Sequence, residues 1–109
     1  MTITYDEFRK VDLRVGTIIK VEHFPEAKKP AYKLVIDLGE LGTKKSSAQV
    51  CDLYEKDELL GKQVLCVVNF APKQIGPFVS EVLTTGCDGK GGVVLMTVDK
   101  PVQNGQRLY

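Results

Sequence analysis

Asp52-Leu53-Tyr54-Glu55-Lys56-Asp57-Glu58-Leu59-Leu60-Gly61 is the stretch on which the fold turns. This charged run closes on a glycine, which predicts a short helix over 52–60 stopped at Gly61. Its neighbours decide what that helix means. Upstream, Thr43 to Val50 reads as a rather polar strand. Downstream, Gln63 to Asn69 is apolar at almost every position, the pattern of a strand buried on both faces. A helix is therefore expected between two strands of an otherwise β-rich chain.

Toward the N-terminus the two-residue period continues. Tyr32, Leu34, Ile36 and Leu38 alternate with Lys33, Val35 and Asp37, and Gly39-Glu40-Leu41-Gly42 follows as a turn. Leu13, Val15, Thr17, Ile19 and Val21 alternate with Arg14, Gly16, Ile18, Lys20 and Glu22. These form a long half-buried strand in which Gly16 marks a bulge or a sharp bend. Pro25 and Pro30 bracket a lysine-bearing loop. Before the first strand, Thr4 and Glu7 have the spacing of a capping box, predicting one short helix that ends near Lys10. Phe8 and Val11 share its apolar face, and a helix this short must dock on something.

Toward the C-terminus, Val67 to Leu83 opens and closes like strand and puts Phe70, Pro72, Lys73, Ile75, Pro77 and Phe78 between. Each proline fixes φ and removes a donor, so the connection is stiff. Its apolar side chains either plug the end of a barrel or stand beside a sheet as a binding surface. Val79 to Thr85 reads as a fifth strand, Gly86 to Gly92 as a hairpin connection, Val93 to Met96 as a short strand and Gln106 to Tyr109 as an extended tail. With no helix after it, the glycine run is neither a Walker nor a dinucleotide loop.

Five or six short strands, regular turns and a helix between the third and fourth strands define an all-β class: a five-stranded Greek-key OB-fold barrel. A short N-terminal helix and a C-terminal extension complete it, in one domain over residues 1–109. A chain of 109 residues buries roughly two thirds of its unfolded surface, enough for its own core.

Composition narrows the function. No apolar run approaches a membrane span, so no membrane insertion is expected, and the N-terminus lacks a secretory signal, which argues for a cytoplasmic protein. Cys51, Cys66 and Cys87 are odd in number with no CxxC pair, and His23 is the only histidine. That excludes a disulfide framework and makes a metal site poor. Cys66 reads as core and His23 as a turn-edge residue. Asp37, Glu40, Asp52 and Glu81 form no recognisable acid/base pair, and Ser46 and Ser47 lack a nucleophile-elbow context. The sequence reads as a binding module, not an enzyme, with no catalytic residue, metal or cofactor. Net charge is +1, a weak overall attraction for nucleic acid. Lys28, Lys29, Lys33, Lys44 and Lys45 are ordinary solvated surface unless the strands gather Lys33, Lys44, Lys45 and Lys73 on one face.

Asp12-Leu13-Arg14-Val15-Gly16, Val21-Glu22, Pro25-Glu26-Ala27, Lys33-Leu34, Leu60-Gly61-Lys62, Val67-Val68-Asn69, Pro72-Lys73 and Ser80-Glu81 resemble, in order, the tRNA-binding-domain family. Phe24-Pro25-Glu26-Ala27, Lys29-Pro30-Ala31-Tyr32, Lys45-Ser46-Ser47-Ala48-Gln49 and Asn69 to Phe78 are similar to one branch of it, the CsaA export-related chaperones. That resemblance implies an OB-fold homodimer that binds unfolded or pre-secretory polypeptide to assist protein export, with the export machinery as a further partner. The wider family implies the alternative, structure-specific tRNA binding. Where that family has a Ser-x-Gly-Met type of element, this chain has Ser80-Glu81-Val82-Leu83, a departure that weighs against the tRNA mode.

Two residue sets follow. For peptide, Phe70, Pro72, Ile75 and Phe78 are expected to form an apolar patch edged by Tyr32 and Gln49. For RNA, Lys33, Lys45 and Lys73 would neutralise phosphates while Asn69 and Ser80 contact sugar or base. Asn69 has a competing structural role, hydrogen bonding to a neighbouring turn. Phe8, Val11, Val102 and Leu108 are expected at the dimer interface.

Overall fold

The computed structural model describes all residues 1–109. Helix α1 (Tyr5–Arg9) starts where the capping box predicts. The Glu7 N–H donates to Thr4 Oγ1 at 3.1 Å, and the Thr4 N–H donates to Glu7 Oε1 at 3.0 Å. Strand β1 (Leu13–His23) follows, then β2 (Tyr32–Asp37), a 3-10 turn at Gly39–Leu41 and β3 (Thr43–Ala48).

The inward parity of β1 differs from simple alternation. Ile18 is fully buried and Ile19 exposed. The register with β2 jumps between Ile18 and Lys20, so the bulge lies at Ile19 rather than at Gly16. An extra residue flips every later side chain to the other face, which returns Val21 to the core. Gly16 has a different reason to be glycine. A Cβ there would lie 2.5 Å from Ile36 Cγ2 and 2.7 Å from Leu38 Cδ2, so the β2 side chains occupy its space. β2 itself keeps the expected parity, with Tyr32, Leu34 and Ile36 buried.

The expected helix over 52–60 contracts to one turn, α2 (Lys56–Leu59). Tyr54 is taken by the barrel instead. Its carbonyl accepts from the Tyr32 hydroxyl at 2.8 Å, and its own hydroxyl accepts from the Leu95 N–H at 3.1 Å. α2 delivers Leu59, fully buried, to the core. Strand β4 (Gln63–Val67) crosses that core. Burial pushes the Cys66 thiol up to about 11, so it stays neutral there.

The expected fifth strand divides. β5 (Lys73–Ile75) and β6 (Phe78–Ser80) form a separate hairpin, and β7 (Leu83–Thr84) pairs with β4. The break comes at Glu81 and Val82, whose N–H groups both donate to the Lys45 carbonyl, at 2.8 and 3.3 Å. β8 (Gly86–Gly89) and β9 (Gly92–Leu95) complete the chain's strands, so the glycine run is itself largely strand around a tight Lys90-Gly91 turn.

The main sheet has the order β3-β2-β1-β4-β7, with every neighbouring pair antiparallel. Hydrogen bonds from Ser80–Val82 to Lys45–Ser47 bring its two edges together. The result is a nearly closed five-stranded OB-like barrel, as expected. No helix is long and apolar enough to cross a membrane.

The C-terminal tail lies along the first half of β1, where β2 has not yet begun to pair. Gly105 N–H donates to the Val15 carbonyl at 2.7 Å, Val15 N–H to Gln106 at 3.0 Å, and Leu108 N–H to Leu13 at 2.9 Å. Asp12 pins this corner. Arg14 Nε donates to its Oδ1 at 2.6 Å, and Arg107 Nε lies 3.4 Å from the same oxygen without a hydrogen bond. The Arg14 hydrogen bond, aided by nearby guanidinium charge, holds the Asp12 carboxyl below the ordinary aspartate value. Its stabilisation is therefore full above the unfolded value near ~3.9 and is lost as pH falls through the depressed folded value. We expect Asp12→Asn to be less stable than the parent at neutral pH and to show a shallower loss of stability below about pH 4. Denaturant melts across that range check it; parallel acid limbs would show that the carboxylate contributes nothing.

Candidate functional site

The β5–β6 hairpin stands over the place where β3 meets β6 and β7. Ile75 pairs with Phe78 across a turn of Gly76 and Pro77. Gly76 has φ +56°, the positive value a two-residue hairpin turn demands of its first central residue, and Pro77 supplies the fixed φ after it. Gln74 Nε2 donates to the Gly76 carbonyl at 2.7 Å and ties the turn down. The stiffness expected from the prolines is thus reinforced by strand pairing.

Under the hairpin lies a cleft of about 500 Å³. Phe70, Ala71, Ile75 and Leu83 give it apolar walls, with Ser47, Gln49, Lys73, Ser80 and Glu81 around them. Phe70 is 58 % exposed and Leu83 47 %, high values for large apolar residues. Glu81 is fixed, since its Oε1 accepts from the Lys45 N–H at 3.0 Å.

Of the peptide set, Phe70, Ile75 and Gln49 line this cleft, and Pro72 is exposed on the same loop. Phe78 is turned away from it. Its ring packs edge-on against Phe24 with centroids 5.4 Å apart. Lys45 Nζ lies 5.4 Å from the Phe78 ring and Lys33 Nζ 5.8 Å from the Phe24 ring. This aromatic pair fastens the hairpin to the barrel, each ring facing a cation across its π-cloud. Tyr32 is corrected. It is 4 % exposed, belongs to the core and spends its hydroxyl on Tyr54, because β2's inward parity carries it under the sheet.

The RNA set is also divided. Lys73 and Ser80 line the cleft, while Lys33 and Lys45 reach the aromatic pair. Asn69 is engaged at both ends of its amide: Oδ1 accepts from the Asp12 N–H at 3.0 Å and Nδ2 donates to the Lys10 carbonyl at 2.7 Å. It closes the corner between α1 and β1, the structural role available to its side chain. Ser80 Oγ accepts from the Ser47 N–H at 3.1 Å and belongs to the barrel seam. Phe24, Ser47, Ala71, Glu81 and Leu83 were missed as site residues. Phe24 carried a signal, an aromatic before Pro25, but the others come together only through barrel closure.

Residues 13–107 match the family model described as "Putative tRNA binding domain". The chain belongs to the tRNA-binding-domain family. Several known proteins are similar to it over nearly its whole length. It is 35 % identical over 108 residues to the methionine–tRNA ligase of Methanococcoides burtonii and 37 % over 109 residues to that of Rhodopirellula baltica. Each alignment takes in 98 % of this chain but 16 % of the ligase, so this tRNA-binding-domain chain spans a small part of those relatives. Among solved structures, chaperone CsaA from Bacillus anthracis is 42 % identical with a TM-score of 0.93 and full coverage of both chains. The CsaA chaperone protein from Picrophilus torridus is 50 % identical with a TM-score of 0.92, covering 99 % of this chain and 100 % of the other. The MetRS-related protein from Pyrococcus horikoshii is 29 % identical with a TM-score of 0.87, covering 100 % and 99 %.

Proposed function

We propose that this protein is a chaperone-type binding module, not an enzyme, which holds unfolded or pre-secretory polypeptide in the cytoplasm to assist its export. One observation carries the reading. The cleft under the β5–β6 hairpin is walled by exposed apolar side chains on a stiff support, whereas Asn69 and Ser80 already use their polar atoms on the protein's own backbone. The full-length likeness to two CsaA chaperones supports it. The mechanism is passive: apolar segments are shielded in the cleft and released without nucleotide or other cofactor.

A second reading, tRNA binding, is favoured by the family itself and by the methionine–tRNA ligase relatives. Lys33, Lys45 and Lys73 stand around the hairpin and would meet phosphates. The two readings respond differently to salt. If three lysines each neutralise one phosphate, tRNA affinity should fall roughly 20–40-fold between about 50 and 200 mM salt. Binding of an unfolded polypeptide through apolar side chains should change little. Titrating tRNA and a reduced, unfolded protein at both salt concentrations checks this; a salt-sensitive tRNA complex with no polypeptide binding would replace the first reading by the second.

We further propose that one such domain forms a two-fold homodimer through α1 and the tail. Arg107 Nη2 donates to the Arg9 carbonyl at 2.5 Å, so the two termini share a side of the molecule. Val11 and Val102 are exposed there, and Leu65, Val98, Val102, Leu108 and Tyr109 line a groove of about 790 Å³. Phe8, on α1, is half-buried. Light scattering at micromolar concentration should give twice the chain mass, and a monomer mass would remove the dimer.

A further inference from the structure

Closure of the barrel is incomplete in a way that bears on how a polypeptide would be held. At Lys45–Ser47 the β3 edge meets Ser80–Val82 through backbone and side-chain bonds. The last link is a pair of hydroxyls: Ser46 Oγ donates to the Val82 carbonyl at 2.9 Å, and Thr84 Oγ1 donates to Ser46 Oγ at 2.8 Å. Beyond it the two edges part around a groove of about 410 Å³, with Ala48, Gln49 and Val50 on one bank and Leu83, Gly86 and Cys87 on the other. The groove shares Ser47, Gln49 and Leu83 with the cleft under the hairpin, so the two are continuous.

Where β3 ends at Ala48, the backbone that continues it offers one free edge residue. Lys45 and Ser47 turn their N–H groups toward the seam, where Glu81 and Ser80 take them. By strand alternation the next to do so is Gln49. Its N–H and C=O form no hydrogen bond within the protein. The floor is apolar, with Val50 and Leu95 buried, and the lining contains no lysine or arginine; Asp88 is its one carboxylate.

We propose that an extended polypeptide is captured here by strand addition, its backbone pairing with Gln49 just past the end of β3 and its alternate side chains dropping into the apolar cleft beside Phe70 and Leu83. This rests on the polypeptide reading above and specifies its mode. An extended peptide presents both a donor and an acceptor at each alternate residue, which is what an open strand edge requires. A phosphodiester backbone has no N–H to offer the Gln49 carbonyl, and a groove without cations gives its phosphates no counter-charge.

The test uses the whole chain and a short fluorescent peptide of alternating leucine and threonine. First the unmodified peptide is titrated; failure to bind would end the polypeptide reading and this proposal with it. Next, single N-methyl groups are placed along the peptide. Strand addition predicts a loss of up to roughly tenfold at the one peptide position whose N–H meets the Gln49 carbonyl and little change at the others, since each removed hydrogen bond is worth at most about one decade. In parallel, amide exchange is followed at Gln49, which should be fast in the free protein and slow in the complex. A peptide that binds with no N-methyl-sensitive position, leaving the Gln49 amide fast, would overturn strand addition while keeping the cleft as an apolar site.

Discussion

Phe70→Ala should weaken binding of unfolded polypeptide by about 4- to 13-fold and leave the melting temperature nearly unchanged. The Phe70 ring is more than half exposed, so folding gains little from it. Covering it with ligand recovers roughly half of the 1.5–3 kcal/mol that full burial of such a side chain supplies. Phe78→Ala is the contrasting case. That ring is half-buried against Phe24 and under Lys45, so its removal should cost about 2 kcal/mol and roughly 8–16 °C in melting temperature. Its effect on binding would come through a loosened hairpin. Fluorescence anisotropy and thermal melts on both variants decide. If Phe70→Ala loses stability and affinity in parallel, the ring supports the fold and the cleft is not a binding surface.

Gly16→Ala is the smallest substitution with a large expected cost. The added methyl would sit 2.5 Å from Ile36 Cγ2, 2.7 Å from Leu38 Cδ2 and 3.0 Å from the Asp37 carbonyl, well inside van der Waals contact. Side chains fully buried in the core cannot yield without disturbing their neighbours. A loss near the upper end of the overpacking range, about 3 kcal/mol, is expected, lowering the melting temperature by roughly 12–24 °C. Denaturant unfolding measures it directly. A midpoint within error of the parent would mean that β1 and β2 approach less closely than the side-chain positions require.

The two predictions differ in how much of their basis could be read along the chain. Phe70 sits in a run whose two prolines and lone glycine announce a stiff connection. Nothing local, however, distinguishes its exposed ring from the packed ring of Phe78. That distinction depends on Phe24, which is remote in sequence and reaches Phe78 because β2 carries its preceding loop beside the hairpin. Gly16 was legible as a special position, but its cause was not. A glycine in a strand serves a bulge, a bend or a close approach equally well. The register between β1 and β2 selects the last of these and moves the bulge to Ile19.

Local pattern was sufficient for the barrel's ingredients. The period of two in β2, the apolar run of β4 and the Thr4–Glu7 cap each depend on residues close in sequence, and each formed where expected, except that β4 ends at Val67, two residues short of Asn69. Asn69 as a turn-binding side chain was foreseeable for the same reason, though its partners Lys10 and Asp12 were not. The candidate site depends on contacts between segments far apart in sequence. The cleft and the groove beside it exist because Ser80–Val82 cross to Lys45–Ser47, a pairing made by backbone groups and hydroxyls that leave no hydrophobic period to read. Tyr32 shows the same limit from the other side. Its residue type suited a site edge, but inward parity and the Tyr54 carbonyl placed it in the core. Periodicity reports which face of an element is apolar; which elements then meet is settled by closure of the barrel, where the bonds are polar and the partners lie more than thirty residues apart.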